Sequence, residues 1–158
     1  MLIAVLGVVL ISNAMRYDRQ LYAHSEGVEP AFMEKLSQGK ELFLIADGLV
    51  RLPQERVNRG VVLNTTLMDI LPYVPSAGSE VESILREVYG TSLYNPNTWQ
   101  SLKETTKVHW EGLSQQQWSA IGRKYHATDV VAPVGWKMSL EKVMESGPLV
   151  LYHIQDYE

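Results

Sequence analysis

The sequence predicts an α/β domain with a small, mostly parallel sheet flanked by helices, preceded by the end of a transmembrane helix. Three observations carry this expectation. Short continuous apolar runs of strand type alternate along the chain with segments of helical periodicity. The length of 158 residues suits one domain, and 46% apolar with 20% charged residues is the composition of a folding globular chain. The chain also opens on an unbroken apolar run, Met1 to Ile11, although mean hydropathy over the whole sequence is only −0.10.

The same arithmetic excludes several classes. A disordered tail or a collagen-like repeat would need fewer apolar residues or a glycine period. There are no cysteines, so disulfides, thiolate metal sites and a cysteine nucleophile are excluded. The net charge of −4 argues against nucleic-acid binding, which requires an excess of Lys and Arg to displace counterions.

The apolar start would rise about 16 Å as a helix, roughly half the hydrocarbon core of a bilayer. It is apolar on every side, has no caps, and runs into the amphipathic stretch Arg16-Tyr17-Asp18-Arg19-Gln20-Leu21-Tyr22. Tyr17, Tyr22 and the two arginines suit a membrane interface. Residues 1–14 therefore read as the end of a truncated transmembrane helix and 15–158 as a soluble α/β domain. A secretory signal sequence is the alternative, since Ser12-Asn13-Ala14 resembles a cleavage site, but Leu2 follows Met1 where a basic region belongs. A buried core element is the third reading of so short a run. By the positive-inside rule, Arg16 and Arg19 would place the adjoining soluble domain in the cytoplasm.

Each later element has its own signal. Pro30 to Gln38 reads as a helix, with Pro30 at its first position, Phe32, Met33 and Leu36 on one face, and Gly39 as its stop. Leu42 to Ala46 is a continuous apolar run, the mark of a strand buried on both faces. Asp47-Gly48 signals a turn, and Gly60 to Leu63 is a second short β-branched strand. Ser79 and Glu82 have capping-box spacing ahead of Val81, Ile84, Leu85 and Val88, with Gly90 ending that helix. Trp99 to Trp110 is a weakly patterned helix. Ser114 with Gln117 begins another, bearing Trp118, Ile121 and Tyr125 on one face. Asp129 to Val134 and Pro148 to Ile154 are strand-like, with a short helix or loop near Ser139 to Met144 between them. Their close spacing also allows an antiparallel ribbon.

Motifs of established chemistry are missing. His24, His109, His126 and His153 have no metal-ligand spacing, and no GxSxG elbow or glycine-rich phosphate loop occurs. The sequence thus assigns no catalytic residue, metal or cofactor. His109 and Glu111 have the composition of an acid–base pair, but neighbours on a helix do not face one another. His153, on a strand beside Tyr152, reads as a partly buried structural imidazole. Asn64-Thr65-Thr66 matches a glycosylation triplet. Tyr73, Tyr89, Tyr94, Trp99, Trp110, Trp118 and Trp136 read as core and interface residues rather than a sugar-stacking platform.

The remaining candidate is Arg51, Arg56 and Arg59, a basic cluster between two strands where α/β sheets tend to bind ligands. A guanidinium group offers paired donors suited to phosphate or carboxylate. The competing reading is a solvated loop in which Arg56 or Arg59 pairs with Glu55 or Asp47.

Together, these blocks resemble the C-terminal domain that follows the last span in bacterial multi-span membrane proteins related to GT-C, dolichyl-phosphate-mannose-type glycosyltransferases. The resemblance rests on the apolar helix tail, the strand Leu42 to Ala46, and the arginine loop leading into Gly60-Val61-Val62-Leu63. It continues through Pro72 and the helix ending Val88-Tyr89-Gly90, then Leu113 to Val131 and Pro148 to Ile154. The chain departs from that pattern at His126, where the family carries glycine, and in lacking a tryptophan in the helix at 79–89. The resemblance implies a non-catalytic accessory domain on the extracytoplasmic side of the cell membrane, since the family's catalytic acidic residues belong to loops of the membrane region. It further implies a partner in the transmembrane region of the parent protein and a polyprenyl-phosphate-linked sugar or acceptor glycan near the arginines. A secreted or periplasmic α/β enzyme and a membrane-anchored protein-interaction domain are the alternatives.

Overall fold

The computed structural model describes residues 27–39, 41–46, 57, 59–63, 74–94 and 98–155. Met1 to Ile11, Arg51, Arg56 and the Asn64 triplet lie outside the described residues. Among the described residues four helices and four strands run in the order α1 (Pro30–Ser37), β1 (Leu42–Ile45), α2 (Gly78–Tyr89), α3 (Thr98–Gly112), α4 (Gln115–Tyr125), β2 (Ala127–Pro133), β3 (Glu141–Ser146) and β4 (Leu149–His153). A 3-10 turn at Pro75–Ala77 leads into α2. Among the described residues no helix is long and apolar enough to cross a membrane.

The sheet runs β1-β2-β4-β3 and is mixed, which corrects the expectation of a mostly parallel one. β1 pairs with β2 in parallel, whereas β4 is antiparallel to both β2 and β3. The cause lies at Ser139 to Met144, expected as a short helix or loop. The segment Glu141–Ser146 is instead a strand, and Gly147-Pro148 turns it straight back into β4. A two-residue connection forces the antiparallel arrangement, because a parallel pair needs a crossover of a dozen residues or more. The expected strand at Gly60–Leu63 reduces to a single parallel bridge, Phe43 to Val61. The Phe43 amide donates to the Gly60 carbonyl at 3.1 Å, and the Val62 amide to the Phe43 carbonyl at 3.1 Å.

β1 is buried on both faces, as a continuous apolar run requires. On one face lies α1, whose Phe32, Met33 and Leu36 are buried, and the Glu29 amide donates to the Ser146 hydroxyl of β3 at 2.7 Å. On the other lies α4, where Gly122 lets the helix backbone approach the Ala127 carbonyl and the Ile154 side chain. Ser114 and Gln117 form the expected capping box at its start. The pair Ser79 and Glu82 does not: α2 begins at Gly78 without a side-chain cap.

The core beside α2, α3 and α4 is aromatic. Trp110 meets Trp118 and Trp136 edge to face, with ring centres 5.4 and 5.6 Å apart, and Tyr89 tilts against it at 5.8 Å. Offset and edge-to-face packing suits the ring quadrupole, and buried tyrosine and tryptophan usually place their polar atom on a partner. Trp110 Nε1 donates to the Val88 carbonyl at 2.6 Å, the Tyr89 hydroxyl to the Ile45 carbonyl at 3.0 Å, and the Tyr152 hydroxyl to the Trp136 carbonyl at 3.1 Å. Tyr89, Trp110, Trp118 and Trp136 are therefore core residues. They are 0 to 7% exposed and present no platform to a sugar.

Candidate functional site

Strand register builds one polar row across the sheet. Phe43 of β1, Asp129 of β2, His153 of β4 and Glu141 of β3 are successive partners, so all four side chains project from one face. This is the face covered by α1, at the end of the sheet where β1 and β2 begin. A carboxylate in such a row must be paired, because an uncompensated charge beside a buried sheet is costly.

Arg59 supplies the pairing. Its side chain is 2% exposed and its Nη2 lies 2.8 Å from Asp129 Oδ2, itself on a side chain 14% exposed. The same nitrogen reaches the Thr128 hydroxyl at 2.9 Å and the Leu42 carbonyl at 3.1 Å. Nε donates to the Glu41 carbonyl at 2.7 Å and Nη1 to the Leu36 carbonyl at 2.8 Å. The guanidinium carbon also stands 5.7 Å from the centre of the Phe43 ring. Thr128 completes the set by donating to Asp129 Oδ2 at 2.7 Å.

One cation thereby ties the end of α1 and the start of β1 to the start of β2, which is distant from both in sequence. Leu36 is the last buried residue of α1, and its carbonyl is among those a helix leaves unsatisfied at its C-terminus. Gly39 makes the approach possible, since a Cβ there would lie 2.2 Å from Arg59 Nη1. Its role is to admit the guanidinium, beyond the helix stop that the sequence suggests.

On the outer side of Asp129, Oδ1 lies 3.3 Å from His153 Nδ1, on a side chain 45% exposed. A carboxylate can only accept, so Nδ1 donates and Nε2 is directed away from the pair. The neighbouring polar groups are linked among themselves. Gln155 Nε2 donates to Glu141 Oε2 at 3.0 Å, Gln115 Nε2 to Gln155 Oε1 at 2.7 Å, and the Ser119 hydroxyl to the Gln155 carbonyl at 2.5 Å.

Two other histidines stand elsewhere. His109 Nε2 donates to the Glu87 carbonyl at 2.9 Å, while Glu111 Oε1 accepts the Lys137 amide at 2.8 Å, so His109 and Glu111 serve separate contacts. His126 ends α4 in a left-handed conformation, φ 53°. Among the described residues no three His, Asp or Glu side chains cluster as metal ligands.

Of the three arginines singled out from the sequence, only Arg59 is described, and its donors are engaged within the chain. Among the described residues its ion-pair partner is Asp129, seventy residues away; Glu55 and Asp47 lie outside the described residues. Neither Asp129 nor Thr128 is legible as a site residue from the sequence. The available signal is a carboxylate at the head of an otherwise apolar strand run, a position that demands a buried cation. The chain matches no family model, and no curated protein or solved structure matches it.

Proposed function

We propose that the chain is a non-catalytic accessory domain of a membrane glycosyltransferase-like protein, held at the extracytoplasmic face of the cell membrane. In this reading Arg51 and Arg56 contact the phosphate of a polyprenyl-linked sugar or an acceptor glycan. Arg59 anchors the start of β1 and β2 instead of meeting ligand.

One observation carries the reading. The sequence before Gly27 and the sequence after Ala46 both leave the described body at the same end of the sheet. Gly27 packs its carbonyl against Gly147 of the β3–β4 turn, and the Ala46 amide donates to the Val131 carbonyl, 3.0 Å away, near the far end of β2. The segment bearing the apolar run is thus joined to the carboxyl end of the parallel strands, and the segment bearing Arg51 and Arg56 departs from that same end after Ala46 and rejoins the body at Val57, ahead of Arg59 at the opposite end. The carboxyl end is where open α/β sheets place ligands. A lipid-borne phosphate would approach from the same side as a membrane anchor.

The test is a titration of the full chain, reconstituted in phosphatidylcholine vesicles, with polyprenyl phosphate. A charge-assisted guanidinium–phosphate contact is worth about 1.5–3 kcal/mol, so Arg51→Ala and Arg56→Ala should each weaken binding roughly tenfold or more. Equal binding by wild type and both variants overturns the phosphate site. Arg59→Ala is unsuited to this experiment because it breaks the buried ion pair.

The Asp129–His153 contact favours a second reading, the secreted or periplasmic α/β enzyme. A ring held through Nδ1 by a carboxylate, on a side chain 45% exposed, has the arrangement of an oriented general base. A hydrolytic or transfer activity of the chain that disappears in His153→Gln, with thermal stability unchanged, would favour it over the accessory role.

A further inference from the structure

At the end of the sheet opposite the Arg59–Asp129 pair, two turns stand side by side. Pro133 to Trp136 forms one, closed by the Trp136 amide to the Pro133 carbonyl at 3.4 Å, with Gly135 at φ 87°. Gly147-Pro148 forms the other, with Gly147 at φ 55°. The Val134 amide donates to the Pro148 carbonyl at 2.9 Å and ties the two together. The resulting tip, Val134, Gly135, Gly147 and Pro148, is exposed and carries no charge, and Val134 is 45% exposed. Glu29, Lys137 and Glu145 are exposed neighbours of the tip in the chain or across it, and the Glu111 carboxylate accepts the Lys137 amide beside it. Gly27, where the described chain begins, packs directly on Gly147.

We infer that this two-turn tip rests in the headgroup layer of the bilayer that receives the apolar run Met1 to Ile11. The inference rests on the anchored-domain reading and adds the surface by which the domain meets the lipid. The reach of the chain supplies the reason. On the anchored-domain reading Tyr17 and Tyr22 sit at the interface, and the steps from Tyr22 to Gly27 span at most about 18 Å when fully extended. A body of this size is about 35 Å across. A tether shorter than the body keeps the attached end near the bilayer, and that end is the tip. An uncharged turn pair with its linking amide already bonded enters the interface at little desolvation cost, while flanking charges stay in the hydrated headgroups.

The absence of cysteine makes the test direct. Val134→Cys, Pro148→Cys and Ser139→Cys variants of the full chain would each carry a bimane label in phosphatidylcholine vesicles containing a headgroup-nitroxide lipid. Ser139 is exposed near the start of β3 and lies at most about 18 Å from Val134 along the chain. The expected result is quenching at 134 and 148 several-fold stronger than at 139. Equal quenching at all three positions, or stronger quenching at 139, overturns the tip contact while leaving the anchor intact. A chain that fails to float with vesicles at all overturns the anchored-domain reading, and the tip contact with it.

Discussion

Arg59 shows how much one side chain can organise. An exposed arginine in an ion pair contributes little, because solvent screens the attraction and holding the side chain costs entropy. At 2% exposure the same group must satisfy its donors internally, and it does so with carbonyls of Leu36, Glu41 and Leu42 as well as Asp129. Removing it leaves the Asp129 carboxylate with only the Thr128 hydroxyl and His153, and takes a donor from three carbonyls. Arg59→Ala should therefore destabilise the fold by about 3–5 kcal/mol in urea unfolding. Arg59→Lys should recover only a minor part, since one ammonium cannot span acceptors arranged around a planar fork. Near-wild-type stability of either variant would contradict the clamp. Its residue type is visible in the sequence as a donor suited to an oxyanion. The oxyanion proves to be the chain's own carboxylate, and residue type alone does not distinguish that from a ligand's phosphate.

Among the secondary-structure elements, local chemistry predicts starts and faces well where nothing distant competes. Pro30 opens α1, Ser114 and Gln117 close their capping box, and Val81, Ile84, Leu85 and Val88 turn inward from α2. Glu82 is the instructive departure. Its carboxylate turns from the helix start to Arg86, and it also accepts the Ser92 hydroxyl at 2.8 Å and the Leu93 amide at 2.7 Å, bracing the loop after Gly90. The Arg86 guanidinium beside it holds Glu82 below the usual carboxylate range. Competing donors thus decide a pairing that spacing alone assigns to a cap. The β3–β4 hairpin depends on Gly147, where a Cβ would lie 2.4 Å from the Gly27 carbonyl and φ is 55°. Gly147→Ala should cost about 2 kcal/mol or more, combining left-handed strain with that overlap. Gly135→Ala, at φ 87° but with open space around it, should cost only the conformational part. A smaller loss at Gly147 than at Gly135, measured by thermal unfolding, would refute the close approach.

For the whole molecule, one surface contact joins α2 to α4. Glu87 accepts Lys124 Nζ at 2.6 Å and the Tyr125 hydroxyl at 2.9 Å. The hydrogen bond from Lys124 holds Glu87 below the usual carboxylate range, and the hydrogen bond to Glu87 raises Lys124. A lowered carboxylate stabilises the fold above its ordinary value of 4.5 and loses that contribution as pH falls through its lowered folded value. The raised lysine contributes below its ordinary value of 10.5 and loses the contribution as pH rises through its higher folded value. Glu87→Gln should lower the melting temperature slightly at neutral pH, on the order of 1–3 °C, and match wild type in strong acid. A gap that persists unchanged into acid would exclude this origin.

Helical segments, their apolar faces and the two-sided burial of β1 are all written in short stretches of the chain. Each depends on spacing within a few residues, where side-chain periodicity and capping act directly. The antiparallel pairing of β2 with β4 is an option that their close spacing leaves open, whereas the strand at Glu141–Ser146 and the pairing of Arg59 with Asp129 emerge only when the chain is folded. β3 has exposed, charged residues because it is an edge strand, and it therefore lacks the apolar run that identifies a buried one. Strand direction and the partner of a buried charge are set by segments up to seventy residues apart, whose meeting depends on the packing of the whole core.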